Sequence, residues 1–251
     1  MHRCARSRLL GLRLAVLTIS LVALPSAAIA YQEEAPSHDA VTPVPREGGW
    51  MQRHERMNER VKQGNVDLVM IGDSITEGWE GAGREVWEKH YSERSAVNLG
   101  ISGDRTQHVL WRLENGNIEG ISPKLAVLMI GTNNSGDNTP QEIADGVTAI
   151  VKKIREKLPE TKILLLGIFP RGANEQDQRR QMNAKTNEMV AKLADDEHVY
   201  YLDIGEKFVQ DDQQRTLPRE IMPDLLHLSP QGYTIWAESV EPTVARLMGE
   251  G

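Results

Sequence analysis

One serine and one histidine of this chain stand where nucleophilic chemistry needs them. Ser74 lies in the segment GDSITEGW, directly after an apolar run at 68–71. His227 lies in the segment DLLHLSPQGY, three residues after Asp224. That spacing lets the carboxylate accept a hydrogen bond from Nδ1 and leaves Nε2 free to take a proton from a serine hydroxyl. The three residue types therefore indicate acyl transfer through a serine nucleophile.

Each of these residues also has a structural explanation when it is taken alone. A serine at a strand-to-helix turn commonly caps the helix, and an Asp-x-x-His pair commonly only closes a loop. Gly103 and Asn133, which follow two later apolar runs, are typical turn residues as well. The functional interpretation therefore depends on whether the fold brings these loops together.

The apolar pattern predicts how the loops are arranged. Five short runs are almost continuously apolar, which is typical of strands buried on both faces of a parallel sheet. They cover residues 68–71, 96–99, 126–130, 163–168 and 199–202. Helical patterns separate them at 50–63, from the capping box Thr139 to Glu142 onward, at about 176–194, and from Pro230 onward. The fold class predicted is α/β, with one three-layer α/β/α domain around a doubly wound, mostly parallel sheet of five strands.

The strand order decides which loops converge. In a flavodoxin-like 2-1-3-4-5 order, the first strand lies between the second and the third, and ligands bind at the carboxyl ends near this switch point. Ser74, Gly103 and Asn133 follow those three strands. We therefore expect a hydroxyl, a glycine backbone and a side-chain amide to share one crevice.

Length and composition limit the class of protein to which the chain can belong. The chain has 251 residues, of which 39% are hydrophobic, enough for one sizeable domain. Residues 1–30 have a basic start, an apolar segment and an A-x-A site at 28–30, so they predict a cleaved signal peptide; an uncleaved anchor is the alternative. Cleavage would remove four arginines and no acids, which lowers the formal net charge from −7 to −11. Such an acidic chain is a poor candidate for nucleic acid.

The rest of the chain divides at about residue 50. Residues 31–49 contain three prolines and four acids without apolar periodicity, which predicts a flexible lead-in before a domain at 50–251. The single cysteine, Cys4, lies in the signal, so the mature chain would have no thiol for disulfides, zinc or catalysis. Past the signal, no stretch approaches the roughly 20 apolar residues that a membrane span needs.

Four blocks of the sequence resemble the SGNH (GDSL-like) hydrolases, and among them the α-subunits of intracellular platelet-activating-factor acetylhydrolase. The blocks are IGDSITEGW at 71–79, NLGISGDRTQHVLWRLENG at 98–116, IGTNN at 130–134 and DLLHLSPQGY at 224–233. The resemblance implies that Ser74 is the nucleophile, His227 the base and Asp224 its orienting acid. It also implies an oxyanion hole made of the backbone N–H groups of Ser74 and Gly103 and the side-chain amide of Asn133, with no metal or organic cofactor and with a homodimer as one option.

Two departures from that family bear on the substrate. Ile75 replaces the leucine of GDSL, a volume-conserving change, and the signal peptide predicts a secreted or periplasmic protein, unlike the intracellular subunits. We therefore predict a secreted serine esterase for short acyl groups, acetyl above all, on a carbohydrate or other small molecule. The alternatives are a lipid-directed esterase or lysophospholipase of the same fold, and a non-catalytic binding protein.

Five residues are candidates for substrate binding. Ile75, Leu225 and Leu226 adjoin the catalytic positions and would wall off a small acyl site, although core packing would explain them equally well. Trp79 would stack on a sugar ring or serve as core, and Arg171 would bind an anionic group or form a structural salt bridge.

Overall fold

A single sheet of five parallel strands forms the centre of the protein. The computed structural model describes residues 1–2 and 37–250, so the predicted signal peptide lies outside the described residues except for its first two positions. The strands are β1 (Leu68–Gly72), β2 (Ala96–Gly100), β3 (Leu125–Met129), β4 (Lys162–Leu166) and β5 (Val199–Leu202). Their order is β2-β1-β3-β4-β5, which confirms the predicted fold class.

The sheet is apolar on both faces because successive side chains of its strands enter two different hydrophobic clusters. Along β1, Val69 and Ile71 belong to one buried cluster, and Leu68 and Met70 belong to the other. Successive side chains of a strand point to opposite faces, so a strand buried on both sides needs an unbroken apolar run. All five residues of β1 and of β3 are buried.

Helices cover both faces of the sheet and complete the three layers. They are α1 (Gly49–Lys62), α2 (Ser74–Glu77), α3 (Arg84–His90), α4 (Thr106–Glu114), α5 (Pro140–Lys157), α6 (Gln178–Val190) and α7 (Pro230–Met248). Helices α1, α4, α5 and α6 supply apolar side chains to the first cluster, whereas α3 and α7 pack on the second.

Local signals set the starts of the long helices. At α5, Thr139 and Glu142 form the predicted capping box, with Pro140 at the first helical position. At α7, Ser229 caps the helix by accepting a hydrogen bond from the Gly232 amide. Helix α6 is shorter than the predicted 176–194, because a tighter 3₁₀ turn replaces its last residues.

The stretch before α1 differs from the flexible lead-in that the sequence predicted. Residues 37–48 lie against the domain: Ala40 is fully buried, and its carbonyl accepts a 2.8 Å hydrogen bond from the Thr106 hydroxyl. Arg46 donates to the Ser102 carbonyl at 2.8 Å. These contacts join residues more than fifty positions apart, so no local sequence pattern could indicate them.

Within residues 1–2 and 37–250, no helix is both long enough and apolar enough to cross a membrane.

Candidate active site

The nucleophile candidate stands at the turn that leads out of the central strand. Ser74 is the first residue of α2, immediately after β1 and the N-cap residue Asp73. The Asp73 carboxylate accepts a 3.0 Å hydrogen bond from the Ile75 amide, which fixes the start of this short helix. The backbone N–H of Ser74 belongs to the first turn of α2, where an amide has no partner within the helix.

The histidine loop reaches this serine from the other end of the chain. His227 Nε2 is 2.9 Å from Ser74 Oγ, and His227 Nδ1 is 2.6 Å from Asp224 Oδ2. The other oxygen of Asp224 accepts from the backbone amides of Leu226 and His227, at 3.0 and 2.7 Å. The structure therefore brings together the three residues that the sequence singled out, in the geometry that a catalytic triad requires.

One backbone feature lets this loop turn so tightly. Leu225 has a φ of +64°, in the left-handed region that a residue with a Cβ rarely adopts. Its carbonyl accepts a 2.9 Å hydrogen bond from the Gly172 amide, which holds the strained turn in place. Such outliers are retained where the surrounding structure requires them, often at functional sites.

Hydrogen bonds also lower the pKa of Asp224, the acid of this loop. Partial burial opposes the charge of Asp224, but the hydrogen bonds from the side chain and backbone of His227 outweigh it and hold the pKa of Asp224 below its usual value. The carboxylate is therefore ionised at neutral pH and available to accept a hydrogen bond from the Nδ1–H group.

Two loops carry the oxyanion donor candidates, and they follow β2 and β3, the strands on either side of β1. Gly103 has a φ of +76°, and a Cβ built on it would lie 3.2 Å from the Arg46 guanidinium, so both backbone and space favour glycine there. Asn133 donates one N–H of its amide to the Asp104 carbonyl at 2.9 Å. A carboxamide has two N–H groups, so a second donor is left for a substrate oxyanion.

A buried ion pair anchors the Gly103 loop to the end of β1. Arg112 donates to Asp104 at 2.8 Å, and both side chains are completely buried. The Trp50 indole donates to the second oxygen of Asp104 at 2.6 Å, and Arg112 also donates to the Gly72 carbonyl at 3.3 Å. The loop that carries Gly103 and the strand that ends at the nucleophile are thus tied to the same guanidinium.

The acids around this anchor lie in a dry environment. Burial raises the pKa of Asp73 to about 7, and the charge of Asp104 adds to the rise, although the Ile75 amide and the charges of His227 and Arg171 oppose it. Burial likewise raises the pKa of Asp104 and lowers that of Arg112, although each partner favours the charge of the other. Charge on this side of the site is therefore costly wherever it lacks a partner.

The structure corrects the prediction for two of the candidate substrate-binding residues. Trp79 is 1% exposed and packs against Tyr233 and Trp236, with ring centroids 4.6 and 4.9 Å away, so it offers no open face to a sugar ring. Ile75 is also 1% exposed and belongs to the same core cluster, so it does not wall an acyl site. Both follow Ser74 closely in sequence, but the helical turn directs them into the core.

The other three candidates lie nearer to the surface. Leu225 and Leu226 are half-buried and pack against the second core cluster. Arg171 donates to the backbone carbonyl and the hydroxyl of Thr132, at 3.2 and 3.1 Å, and so holds the residue before Asn133. Arg171 therefore makes hydrogen bonds to the loop that carries Asn133, rather than the structural salt bridge that was the alternative expectation.

The cavity beside the nucleophile has a lining that the sequence did not predict. It measures about 380 Å³ and is lined, besides Ser74, by Glu77, Gly78, Glu80, Gly81 and Ser102. The spacing of three residues between Ser74 and Glu77, which share a helix face, is the signal that could have indicated the first of them. Among the described residues that line this cavity, His227 is absent.

Comparison with known families gives a match over most of the domain. Residues 70–235 match the model of the GDSL-like lipase/acylhydrolase family. The chain is 38% identical over 211 residues to the alpha1 subunit of human platelet-activating factor acetylhydrolase IB, covering 84% of this chain and 89% of that subunit. It is 38% identical over 205 residues to the rat alpha2 subunit, covering 80% of this chain and 86% of that subunit.

Solved structures with the same architecture come from bacteria. A putative platelet activating factor structure from Streptococcus pneumonia aligns with a TM-score of 0.62 at 25% identity, covering 77% of this chain and 94% of the other. An acetylxylan esterase from Geobacillus stearothermophilus aligns with a TM-score of 0.58 at 21% identity, covering 75% of this chain and 96% of the other. At that second identity, the similarity shows a shared fold alone.

Proposed function

Since the chain belongs to the GDSL-like lipase/acylhydrolase family and is a carboxylic ester hydrolase, we propose that it removes short acyl groups, acetyl above all, through a serine acyl-enzyme. The contacts of Ser74, His227 and Asp224 carry this proposal. In an enzyme without this chemistry, nothing would require a histidine 153 positions away to approach the serine hydroxyl within hydrogen-bond distance.

The first half of the reaction follows from the hydrogen bonds. With its proton on Nδ1, His227 donates to Asp224 and accepts at Nε2 from the Ser74 hydroxyl. As Oγ attacks the ester carbonyl, its proton passes to Nε2, and Asp224 stabilises the imidazolium that forms. The carbonyl oxygen becomes negative at the same time, and the amides of Ser74, Gly103 and Asn133 are its proposed donors.

The second half releases both products. The tetrahedral intermediate collapses, the bond to the leaving oxygen breaks, and that oxygen takes the proton from His227 Nε2. A water molecule then gives a proton to Nε2 and attacks the acyl-enzyme, and collapse of the second intermediate releases the carboxylic acid and restores the Ser74 hydroxyl.

The direction of this proton transfer indicates on which side of Ser74 the acyl group binds and on which side the leaving group binds. The leaving oxygen must be next to His227, so the acyl group has to point away from it. The cavity that Ser74 lines without His227 is therefore the proposed acyl pocket. Its lining of glycines, carboxylates and a serine favours a short acyl group, because long chains gain little from a polar wall. The name of the relatives at 38% identity, acetylhydrolase, supports the same choice.

The leaving-group side supports a hydrophilic alcohol. The side chains of His227 and Asp224 are 45% and 57% exposed, so a sugar bound there would keep much of its hydration. A carbohydrate acetate of a secreted or periplasmic enzyme is therefore the proposed substrate class. Export with cleavage after residue 30 is checked by the mass of the mature protein, which would begin at Tyr31.

One experiment tests the chemistry directly. Turnover of p-nitrophenyl acetate is measured for the mature chain and for Ser74→Ala, with circular dichroism as a check on folding. Because triad residues act as a unit, we expect a loss of about a thousandfold or more in kcat with an unchanged spectrum. Equal turnover by the two proteins would contradict the assignment of Ser74 as nucleophile.

A second experiment tests the substrate class. Turnover of acetylated xylose compared with that of an acetylated glycerolipid separates a carbohydrate esterase from the lipid-directed alternative.

A further inference from the structure

A second, larger cavity adjoins the proposed acyl pocket. It measures about 500 Å³ and lies along the outer edge of β2, between α1 and α3. We name it the arginine-rimmed groove, after the side chains at its border. The border includes Arg56, Arg60 and Arg84, and the apolar lining includes Met57, Trp87 and Val97. Nothing in the proposed acetyl hydrolysis requires a cavity of this size.

An ion pair lies where the two cavities meet. Glu80 lines both of them, and Arg53 lines the groove. The two side chains make a bidentate pair, with Nη1 of Arg53 2.9 Å from one carboxylate oxygen of Glu80 and Nη2 2.8 Å from the other. Arg53 is also fixed from behind, because its Nε donates to the Gly100 carbonyl at 2.8 Å.

We call the Arg53–Glu80 pair the partition, and further contacts hold it beside the proposed acyl pocket. The Glu77 carboxylate lies 3.6 Å from Arg53 Nε and also accepts a 2.5 Å hydrogen bond from the Ser102 amide. Burial opposes the charge of Arg53, but Glu80 and Glu77 outweigh it and raise the pKa of Arg53. The guanidinium is therefore a permanent cation held by two carboxylates that both line the proposed acyl pocket.

We propose that the Arg53–Glu80 ion pair determines acyl-chain length by closing the acyl pocket against the arginine-rimmed groove. The inference rests on the proposed function, since it concerns the acyl group attached to Ser74. An acetyl group ends before the pair, whereas a longer chain has to place methylenes against two charges or separate them. Separation leaves the Arg53 guanidinium, whose side chain is 14% exposed, without its partner, whereas the Glu80 carboxylate, 53% exposed, returns to water. The cost in affinity therefore falls on Arg53.

Removal of the pair would reverse this preference. Without it, the pocket opens into a space whose lining includes Met57, Trp87 and Val97. Burial of apolar chain carbons against such side chains is favourable, so the opened site should accept longer acyl groups.

The experiment compares kcat/KM for p-nitrophenyl octanoate and p-nitrophenyl acetate in Glu80→Ala, Arg53→Met and the unmodified protein. We expect the octanoate-to-acetate ratio to rise by about tenfold or more in both variants, since a few methylenes in an apolar site are worth at least that much. Thermal unfolding of each variant shows whether the fold is kept. Two variants are used because either residue could also support the local structure.

Glu88→Ala is the matched control. Glu88 lines the same groove and pairs with Arg84 at 3.2 Å, but it does not line the acyl pocket. Its loss removes the same kind of charge without opening the partition, so the ratio should remain that of the unmodified protein. A rise of equal size in this control would overturn the proposal, because it would trace the change to the net charge of the groove.

Two further outcomes would overturn the inference without touching the proposed function. One is an unchanged ratio in both folded partition variants. The other is an equal loss of acetate and octanoate turnover, which would make the pair a support for the catalytic geometry. In either case, the esterase assignment remains intact if the Ser74→Ala substitution still abolishes turnover. Turnover that persists in Ser74→Ala would instead contradict the proposed function itself.

Discussion

The two halves of the active site are built in different ways. The half that carries Gly103 is held by buried groups far apart in sequence: Trp50 and Asp104 are separated by 54 positions. Arg112 and Gly72, on the same side, are separated by 40. The half that carries His227 is held mainly by a turn of four residues at the surface, in which Asp224 accepts from the Leu226 and His227 amides. One long-range hydrogen bond, from the Gly172 amide to the Leu225 carbonyl, supports this turn.

This difference follows from what each half has to do. The proposed oxyanion donors have to be fixed in place. The buried groups behind the Gly103 loop fix it, although Gly103 itself is exposed. The base must exchange protons with a leaving group and a water molecule, so it has to face solvent. We therefore expect substitutions in the surface half to affect activity alone, and substitutions in the buried half to affect stability as well.

The largest effect should come from His227→Ala. Loss of the base should lower kcat by about a thousandfold or more, since a single missing triad member disables the unit. Because the side chain is 45% exposed, the thermal unfolding temperature should change little. Steady-state kinetics and calorimetry measure the two quantities. A loss of stability comparable with that of a core substitution would remove the distinction between the halves.

Arg112→Met should give the second largest effect, on stability. It leaves Asp104 buried without its partner, and breaking a buried ion pair costs about 3–5 kcal/mol. Urea unfolding measures this free energy. Arg84→Met is the matched control, because its pair with Glu88 is 74% and 61% exposed and should be worth below about 1 kcal/mol. Similar losses in the two variants would show that the buried pair does not anchor this half.

The third effect is a change of stability with pH, small within any one pH unit, and it distinguishes two acids of the site. Asp73, whose pKa burial raises to about 7, keeps its proton in the folded state after the unfolded chain has released it. Its contribution to stability is therefore complete below about pH 4 and is lost as pH rises to about 7. Asp73→Asn should gain stability relative to the unmodified protein across that range, by at most about 1.4 kcal/mol for each pH unit.

Asp224→Asn is the control for this titration. The pKa of Asp224 is lowered, so its contribution is present above the unfolded value and is lost as the pH falls through the folded one. Between about pH 5 and 7, the titration of the Asp224 carboxyl itself therefore adds no change of stability with pH, and its variant should not show the steady gain expected of Asp73→Asn. Urea unfolding at several pH values tests both. A constant difference for Asp73→Asn would mean that its carboxyl is ionised throughout.

Much of the fold could be predicted because its signals are local. The apolar runs of β1 to β5 predicted buried strands, since a strand covered on both faces needs no polar side. Strands β1 and β3 are buried throughout, whereas the edge strands β2 and β5 are only partly buried. Thr139, Glu142 and Pro140 predicted the start of α5 through a capping box that involves only neighbours. The strand order then placed the loops after β1, β2 and β3 together, which the structure confirms.

The sequence left two interpretations open where a side chain had more than one direction to take. Trp79 follows the nucleophile by five residues, and its type suits a sugar ring as well as a core. Its position after the short α2 turns it toward Tyr233 and Trp236 of α7, where burial of an aromatic ring is most favourable. Glu77 and Glu80 were overlooked for the opposite reason, because carboxylates on a short helix normally face solvent.

By itself, the sequence determined the residue types and their order: an apolar sheet, a serine after its first strand, and an Asp-Leu-Leu-His turn before its last helix. The tertiary structure alone decided which groups meet across long separations: the 2.9 Å contact of Ser74 with His227, the buried Asp104–Arg112 pair, and the Arg53–Glu80 pair beside the acyl pocket. Local patterns depend on neighbours along the chain. Long-range contacts depend on how whole layers pack, and loop closure over such distances is favourable only once the core has formed.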